Sequence, residues 1–180
     1  MTPGTLVAIA GWAHTPQALE PLGRALEEHA DVSHTSTAQL LGQAVDAGST
    51  GSAYAQALTR NIRDMSSPPV LLGWSTGAMI ALETALMCPE AVAGLVLISG
   101  TARFCRDPDY PHGSPEPSLY AMMVGLERDR KSTLEVFFRQ VFGREEGRTS
   151  NIARAVASAR SIDPLNLAHD LEYLRYADLR

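Results

Sequence analysis

The chain contains only two cysteines, Cys88 and Cys105. They are too few and too far apart for a disulfide framework or a metal-ligand spacing, so reduced thiols are expected. There is no excess of positive charge: 15 Lys and Arg stand against 20 Asp and Glu, a net charge of −5, which argues against nonspecific nucleic-acid binding. Long apolar runs are missing as well. The opening Met1-Thr2-Pro3-Gly4-Thr5 has no basic stretch, and the run from Leu6 to Ala10 is too short for a signal peptide or a membrane span. The expectation is a soluble cytoplasmic protein with neither membrane nor nucleic acid as partner. No Gly-x-Gly-x-x-Gly follows Ile9 and no phosphate loop carries a lysine, which leaves a nucleotide-binding Rossmann protein weakly supported. No repeat, metal signature or cofactor signature is visible.

What is present centres on Val70-Leu71-Leu72-Gly73-Trp74-Ser75-Thr76-Gly77-Ala78-Met79-Ile80-Ala81. An apolar strand leads into Gly-x-Ser-x-Gly and then a helix of small residues, the context in which that motif marks a nucleophile elbow rather than an ordinary turn. A strand that reverses sharply into a helix strains its middle residue, and the residues two before and two after must be small. Gly73 and Gly77 occupy those places. Ser75 then projects from the strand end, and the Thr76 amide at the helix start can stabilise an oxyanion.

At 180 residues with 45% apolar content, one domain is expected. Leu6–Ala10 reads as a buried parallel strand ending in the loop Gly11-Trp12-Ala13-His14-Thr15. The spacing predicts a helix from Pro16 to Ala30, a short polar strand over Asp31–Thr37, a loop over 42–52, and a helix from Ala53 to Met65 with Tyr54, Leu58, Ile62 and Met65 on one stripe. After the elbow helix, Ala91–Ser99 reads as another buried strand. Strands alternating with helices predict an α/β, doubly wound, mostly parallel sheet, with the site beyond the strands' carboxyl ends. Gly11-Trp12, Ser75-Thr76 and Gly100-Thr101 all fall there.

Beyond Thr101 the character changes. Four prolines between Arg103 and Pro117 rule out regular helix. Helical segments follow from Ser118 to about Ala159, with breaks at Gly143 and Gly147, and a last one starts at Asp163-Pro164. The expected organisation is a core over 1–102, a helical lid over 103–170, and a return toward the core over 171–180. Residues 124–160 hold eight of the 15 basic side chains against five acidic ones. That is either a patch for an acidic partner or a solvated face of intrahelical ion pairs. Met122, Met123, Phe137 and Phe138 line an acyl slot or pack lid on lid.

These residues resemble the α/β-hydrolase superfamily, and within it the pimeloyl-acyl-carrier-protein methyl ester esterases of biotin synthesis. The likeness is carried by Ala10-Gly11-Trp12-Ala13, Gly73-Trp74-Ser75-Thr76-Gly77, Leu95-Val96-Leu97-Ile98-Ser99, the stretch from Met122 to Gly143, and the tail Leu171-Glu172-Tyr173-Leu174 to Asp178-Leu179-Arg180. It spans nearly the whole chain. It implies a serine carboxylesterase with Ser75 as nucleophile and the amides of Trp12 and Thr76 as the oxyanion hole. It also implies substrate contacts at Trp12, Ser75, Thr76, Phe137, Phe138, Arg139, Gln140 and Val141. Arg128, Arg130, Arg139, Arg144 and Arg148 resemble a surface that receives an acyl-carrier protein, and no cofactor is implied.

Two departures stand out. The family commonly has His-Gly where this chain has Ala10-Gly11, and that histidine usually braces the oxyanion loop. The triad order Ser, Asp, His is also incomplete: no acid-bearing loop or Gly-His follows the lid, and roughly 60 residues, two strand–helix units, are expected to be missing. His14 is expected as a solvent-exposed loop residue, and Asp107 and Asp109 are weak candidates for the acid. Such a chain is expected to need a C-terminal segment, a complementing polypeptide or a homo-oligomer. The alternatives are a non-catalytic, degenerate hydrolase-fold binding protein and a hydrolase of other ester specificity.

Overall fold

The computed structural model describes residues 4–43, 52–143 and 148–180. Four strands form one sheet: β1 (Gly4–Ile9), β2 (Ala30–Thr35), β3 (Val70–Trp74) and β4 (Gly94–Ile98), in the order β2-β1-β3-β4 and all parallel. The side-chain period of two sends Val7, Ile9 and Leu71 to one face and Ala8, Ala10 and Leu72 to the other. On the first face lie α3 (Ala53–Arg63) and α4 (Thr76–Met87), which bury Tyr54, Leu58, Ile62 and Ile80 against the strands. On the second, Leu19 and Leu22 close over the sheet from a 3-10 turn at Pro16–Leu19 and from α1 (Glu20–Leu26). The short α2 (Thr37–Leu41) is capped by the Ser36 side chain.

The expected helix from Pro16 to Ala30 is therefore shorter than its apolar spacing suggests. Its first turn is 3-10 and Ala30 already belongs to β2. β4 also departs from expectation. It spans only Gly94–Ile98, and Leu95, Val96, Leu97 and Ile98 are 36–42% exposed rather than buried. The reason is its place in the sheet: β3 is its one neighbour among the described residues, so one edge and much of both faces stay open.

Past β4 the chain runs through a proline-rich connection into α5 (Glu116–Val141), then α6 (Arg148–Ala159) and α7 (Pro164–Tyr176). α5 is interrupted at Asp129 (φ −152°, ψ 85°), whose carboxylate accepts the Ser132 amide at 3.0 Å and so caps the second half as a new helix start. The three helices share one apolar cluster that includes Leu119, Leu126, Leu134, Phe138, Leu167 and Leu171. Trp12 and Met79 from the sheet layer join it. Of the expected loop over 42–52, residues 44–51 lie outside the described residues, as does the break at Gly147.

Candidate active site

β1 connects leftward to β2, and the chain then returns to place β3 on the right of β1. Strand order reverses between β1 and β3, the place where open α/β sheets form their binding crevice. The loops after both strands meet there. Ser75 joins β3 to α4 with φ 55° and ψ −116°, a conformation that side chains rarely adopt. Its own amide is tied to the Ile98 carbonyl at 2.9 Å, and its carbonyl takes the Ala78 amide at 2.9 Å.

The glycines explain how the turn closes. A methyl group on Gly73 would lie 2.4 Å from the Ala78 Cα, and one on Gly77 would lie 2.3 Å from the Ile9 carbonyl oxygen. Gly11 plays the same part from the facing loop: its missing Cβ would stand 3.1 Å from the Ser75 Cβ and 3.7 Å from Oγ. The Trp12 loop thus lies directly against the serine. Thr76 opens α4 and is fully buried, so its amide is one of the N–H groups that a helix start leaves without an intrahelical partner. A serine hydroxyl beside these main-chain groups is an arrangement suited to acyl transfer.

The Trp12 loop is braced from outside the sheet. Trp12 Nε1 donates to the Leu167 carbonyl at 2.9 Å and the ring meets Phe137 edge-on, with centroids 4.6 Å apart. Thr15 and Ser158 share a hydrogen bond of 2.9 Å. His14 is not the exposed residue expected. It is 9% exposed, its Nδ1 lies 2.8 Å from the Trp12 carbonyl, and its ring is set against Trp74 and Phe138. Burial lowers its pKa below the usual imidazole value, the bond to Trp12 opposing that shift, so the ring is neutral at pH 7 and Nδ1–H donates. His14 thus holds the loop that follows Ala10 and Gly11 from its far end.

Among the described residues nothing hydrogen-bonds Ser75 Oγ, and none of the five histidines bonds to it. Asp107 lies 2.6 Å from Arg103, and Asp109 lies 3.5 Å from Arg180, which leaves neither paired with an imidazole. No group of three or more His, Cys, Asp and Glu among these residues could hold a metal ion.

Helical periodicity separates the residues from Phe137 to Val141. Phe137 and Gln140, with Met122, line a cavity of about 270 Å³. Phe138 is fully buried in the helical cluster, while Val141 is exposed. Arg139 faces a different groove, of about 570 Å³, between α5 and α6, shared with Lys131, Arg148 and Arg160. One acid, Glu135, lies in that groove, 3.7 Å from Lys131 and 3.6 Å from Arg139. Arg128 is exposed. Arg130 reaches the Arg160 and Ile162 carbonyls, both at 3.3 Å, and so braces the turn between α6 and α7. Arg144 lies outside the described residues.

One buried group escaped sequence reasoning. Asp170 on α7 is 1% exposed and accepts hydrogen bonds of 2.6 Å from both Thr37 and Tyr54. The signal was available: it stands three residues after Leu167 and four before Leu174, on the helix's apolar stripe.

The chain belongs to the alpha/beta hydrolase family, whose model matches residues 6–180. Within that family it is similar to pimeloyl-acyl-carrier-protein methyl ester esterases. The one from Nitrosomonas europaea is 34% identical over 111 residues, which cover 60% of this chain and 44% of that protein. The one from Klebsiella pneumoniae is 30% identical over 181 residues, 97% of this chain and 68% of the relative. The chain thus spans between under half and about two thirds of these relatives. Among solved structures, an esterase from Exiguobacterium antarcticum superposes with a TM-score of 0.80 at 21% identity, covering 100% of this chain and 69% of its own. An enol-lactonase from Burkholderia xenovorans gives 0.69 at 14% identity, covering 99% and 67%. At those identities the likeness establishes the fold.

Proposed function

We propose that this chain carries the nucleophile and oxyanion half of a serine carboxylesterase whose substrate is the methyl ester of a pimeloyl group on an acyl-carrier protein. The observation that carries the reading is the strained Ser75, held at the end of β3 against Gly11 and Trp12. Ser75 Oγ attacks the ester carbonyl, the amides of Trp12 and Thr76 take the oxyanion, methanol leaves, and water releases the acid. Helices α5–α7 act as the lid. Phe137 and Gln140 contact the acyl chain, and the basic groove at Lys131, Arg139, Arg148 and Arg160 receives the acidic carrier. The general base and its orienting acid come from outside these 180 residues, in keeping with a Ser75 Oγ that no described imidazole reaches.

Hydrolysis of p-nitrophenyl butyrate, followed with and without imidazole as a free base, tests this reading. A rate increment that depends on added imidazole and disappears in Ser75→Ala is expected. Equal rates for the two proteins under both conditions would contradict it and favour a non-catalytic binding protein, the reading that the unpartnered serine otherwise supports. Carrier docking has its own test. Replacing Arg139 and Arg148 together by Glu should cut turnover of the carrier-bound ester by about tenfold or more and spare the small ester, because charge reversal at a docking surface acts on encounter with the partner. An equal loss on both substrates would count against docking there.

A further inference from the structure

A cleft of about 410 Å³ adjoins the elbow, with Ala13, His14 and Trp74 on the sheet side and Phe142, Asn151 and Arg154 on the helical side. It touches both loops of the site, since Trp74 precedes Ser75 and Ala13 follows Trp12. Its walls carry no Asp or Glu. His14 is neutral at pH 7, because burial lowers its pKa. That leaves Arg154 as the one formal charge. Its guanidinium donates to Asn151 Oδ1 at 2.9 Å, and among the described residues it is in no ion pair. Hydrogen-bonding side chains add to this polar rim: Gln17 lines the cleft, as do the bonded pair Thr15 and Ser158. The rest of the lining is alkyl or aromatic.

We propose that this cleft binds the carboxylate of a short aliphatic acyl ligand, with Arg154 taking the charge and the Trp74–Phe142 wall taking the chain. The chemistry favours a carboxylate over a phosphate monoester. A planar guanidinium matches a carboxylate with two parallel N–H···O bonds, whereas a dianion would leave one charge unanswered in a cleft with a single cation. The proposal goes beyond the esterase reading, whose carrier-bound methyl ester has no free carboxylate, and rests on it for the ester end alone. A half-ester of a dicarboxylic acid would present its ester at Ser75 and its free acid at Arg154, so the small substrates preferred are anionic ones.

The test uses ligands that cannot be hydrolysed as esters. The chain has two tryptophans, so its nitrogen–proton spectra contain two indole N–H signals, from Trp12 and Trp74. Titration with heptanoate and with heptanamide, equal in length and different in charge, reads affinity from the Trp74 signal. Heptanoate should bind roughly tenfold more tightly, the scale of one charge-assisted hydrogen bond at a solvent-accessible rim. Arg154→Gln should abolish that preference, and Arg24→Gln, on α1 outside the cleft, should preserve it. Equal affinity for the two ligands, no saturable shift with heptanoate, or a preference that survives Arg154→Gln would overturn the proposal. A heptanoate preference that meets these terms, alongside absent Ser75-dependent turnover, would leave the cleft standing and overturn only the esterase reading.

Discussion

A methyl group has no room at either elbow glycine, because what it would meet is backbone: the Gly77 carbonyl oxygen and the Ala78 Cα for Gly73, and the Ile9 carbonyl for Gly77. Neither obstacle can swing aside as a side chain would. Gly73→Ala and Gly77→Ala should therefore each destabilise the chain by about 3 kcal/mol or more, at the upper end of overpacking costs, and urea unfolding would show it as a lower midpoint. Midpoints within experimental error of the parent would mean that the turn is looser than the geometry requires. These glycines were legible in the sequence because the strand–helix reversal that demands them is local, although the backbone that Gly77 meets, at Ile9, comes from a distant strand. His14 was not. Its burial is made by Trp74 and Phe138, 60 and 124 positions away, and nothing near Gly11 in the sequence announces them.

Helix α7 is tied to the sheet layer by polar contacts as well as by its leucines. Asp170 accepts from Thr37 on α2 and Tyr54 on α3, while Tyr173 donates to Glu83 on α4 at 2.9 Å. Glu83 in turn accepts the amide and hydroxyl of Ser52, the N-cap of α3, both at 2.7 Å. Burial pushes the Asp170 carboxyl up to about 6 from its ordinary 3.8, against the opposing hydrogen bonds from Thr37 and Tyr54 and the nearby His169. The sign follows directly. The folded chain binds this proton more tightly than the unfolded chain, so the group favours folding increasingly as pH falls through 6 toward 4, and that contribution is lost again as pH rises through 6. The gain is on the order of 3 kcal/mol at full protonation, of which about half falls between pH 7 and pH 5. Denaturant unfolding at pH 7 and pH 5 should show this increment in the parent and a smaller one in Asp170→Asn; identical pH dependence in both would exclude Asp170 as its source. The apolar stripe of α3 is plain in the sequence, as are the elbow motif that opens α4 and the Asp163-Pro164 start of α7. The polar ties between them are not, because they join residues as far apart as Thr37 and Asp170.

On the scale of the whole molecule, the open flank of β4 sets the behaviour of the 180-residue chain. Four neighbouring apolar side chains, Leu95 to Ile98, are 36–42% exposed beside an edge that no described strand covers. Such an edge recruits other chains, and lysine is the residue that natural sheets use to blunt it. Light scattering should show mass rising with concentration for this chain and falling toward monomer for Leu97→Lys; association unchanged by the lysine would place the contact elsewhere. The parallel sheet and its layers were readable from apolar runs, whereas a run such as Leu-Val-Leu-Ile does not by itself say whether it lies at the centre of a sheet or at its edge. The proposed function requires one serine of the folded molecule, Ser75, to be set apart as a nucleophile. Intact mass after treatment with a fluorophosphonate in the presence of imidazole tests it most directly. The expected result is a single adduct, mapped by peptide sequencing to Ser75 and absent from Ser75→Ala. No adduct, or adducts scattered over other serines, would contradict it.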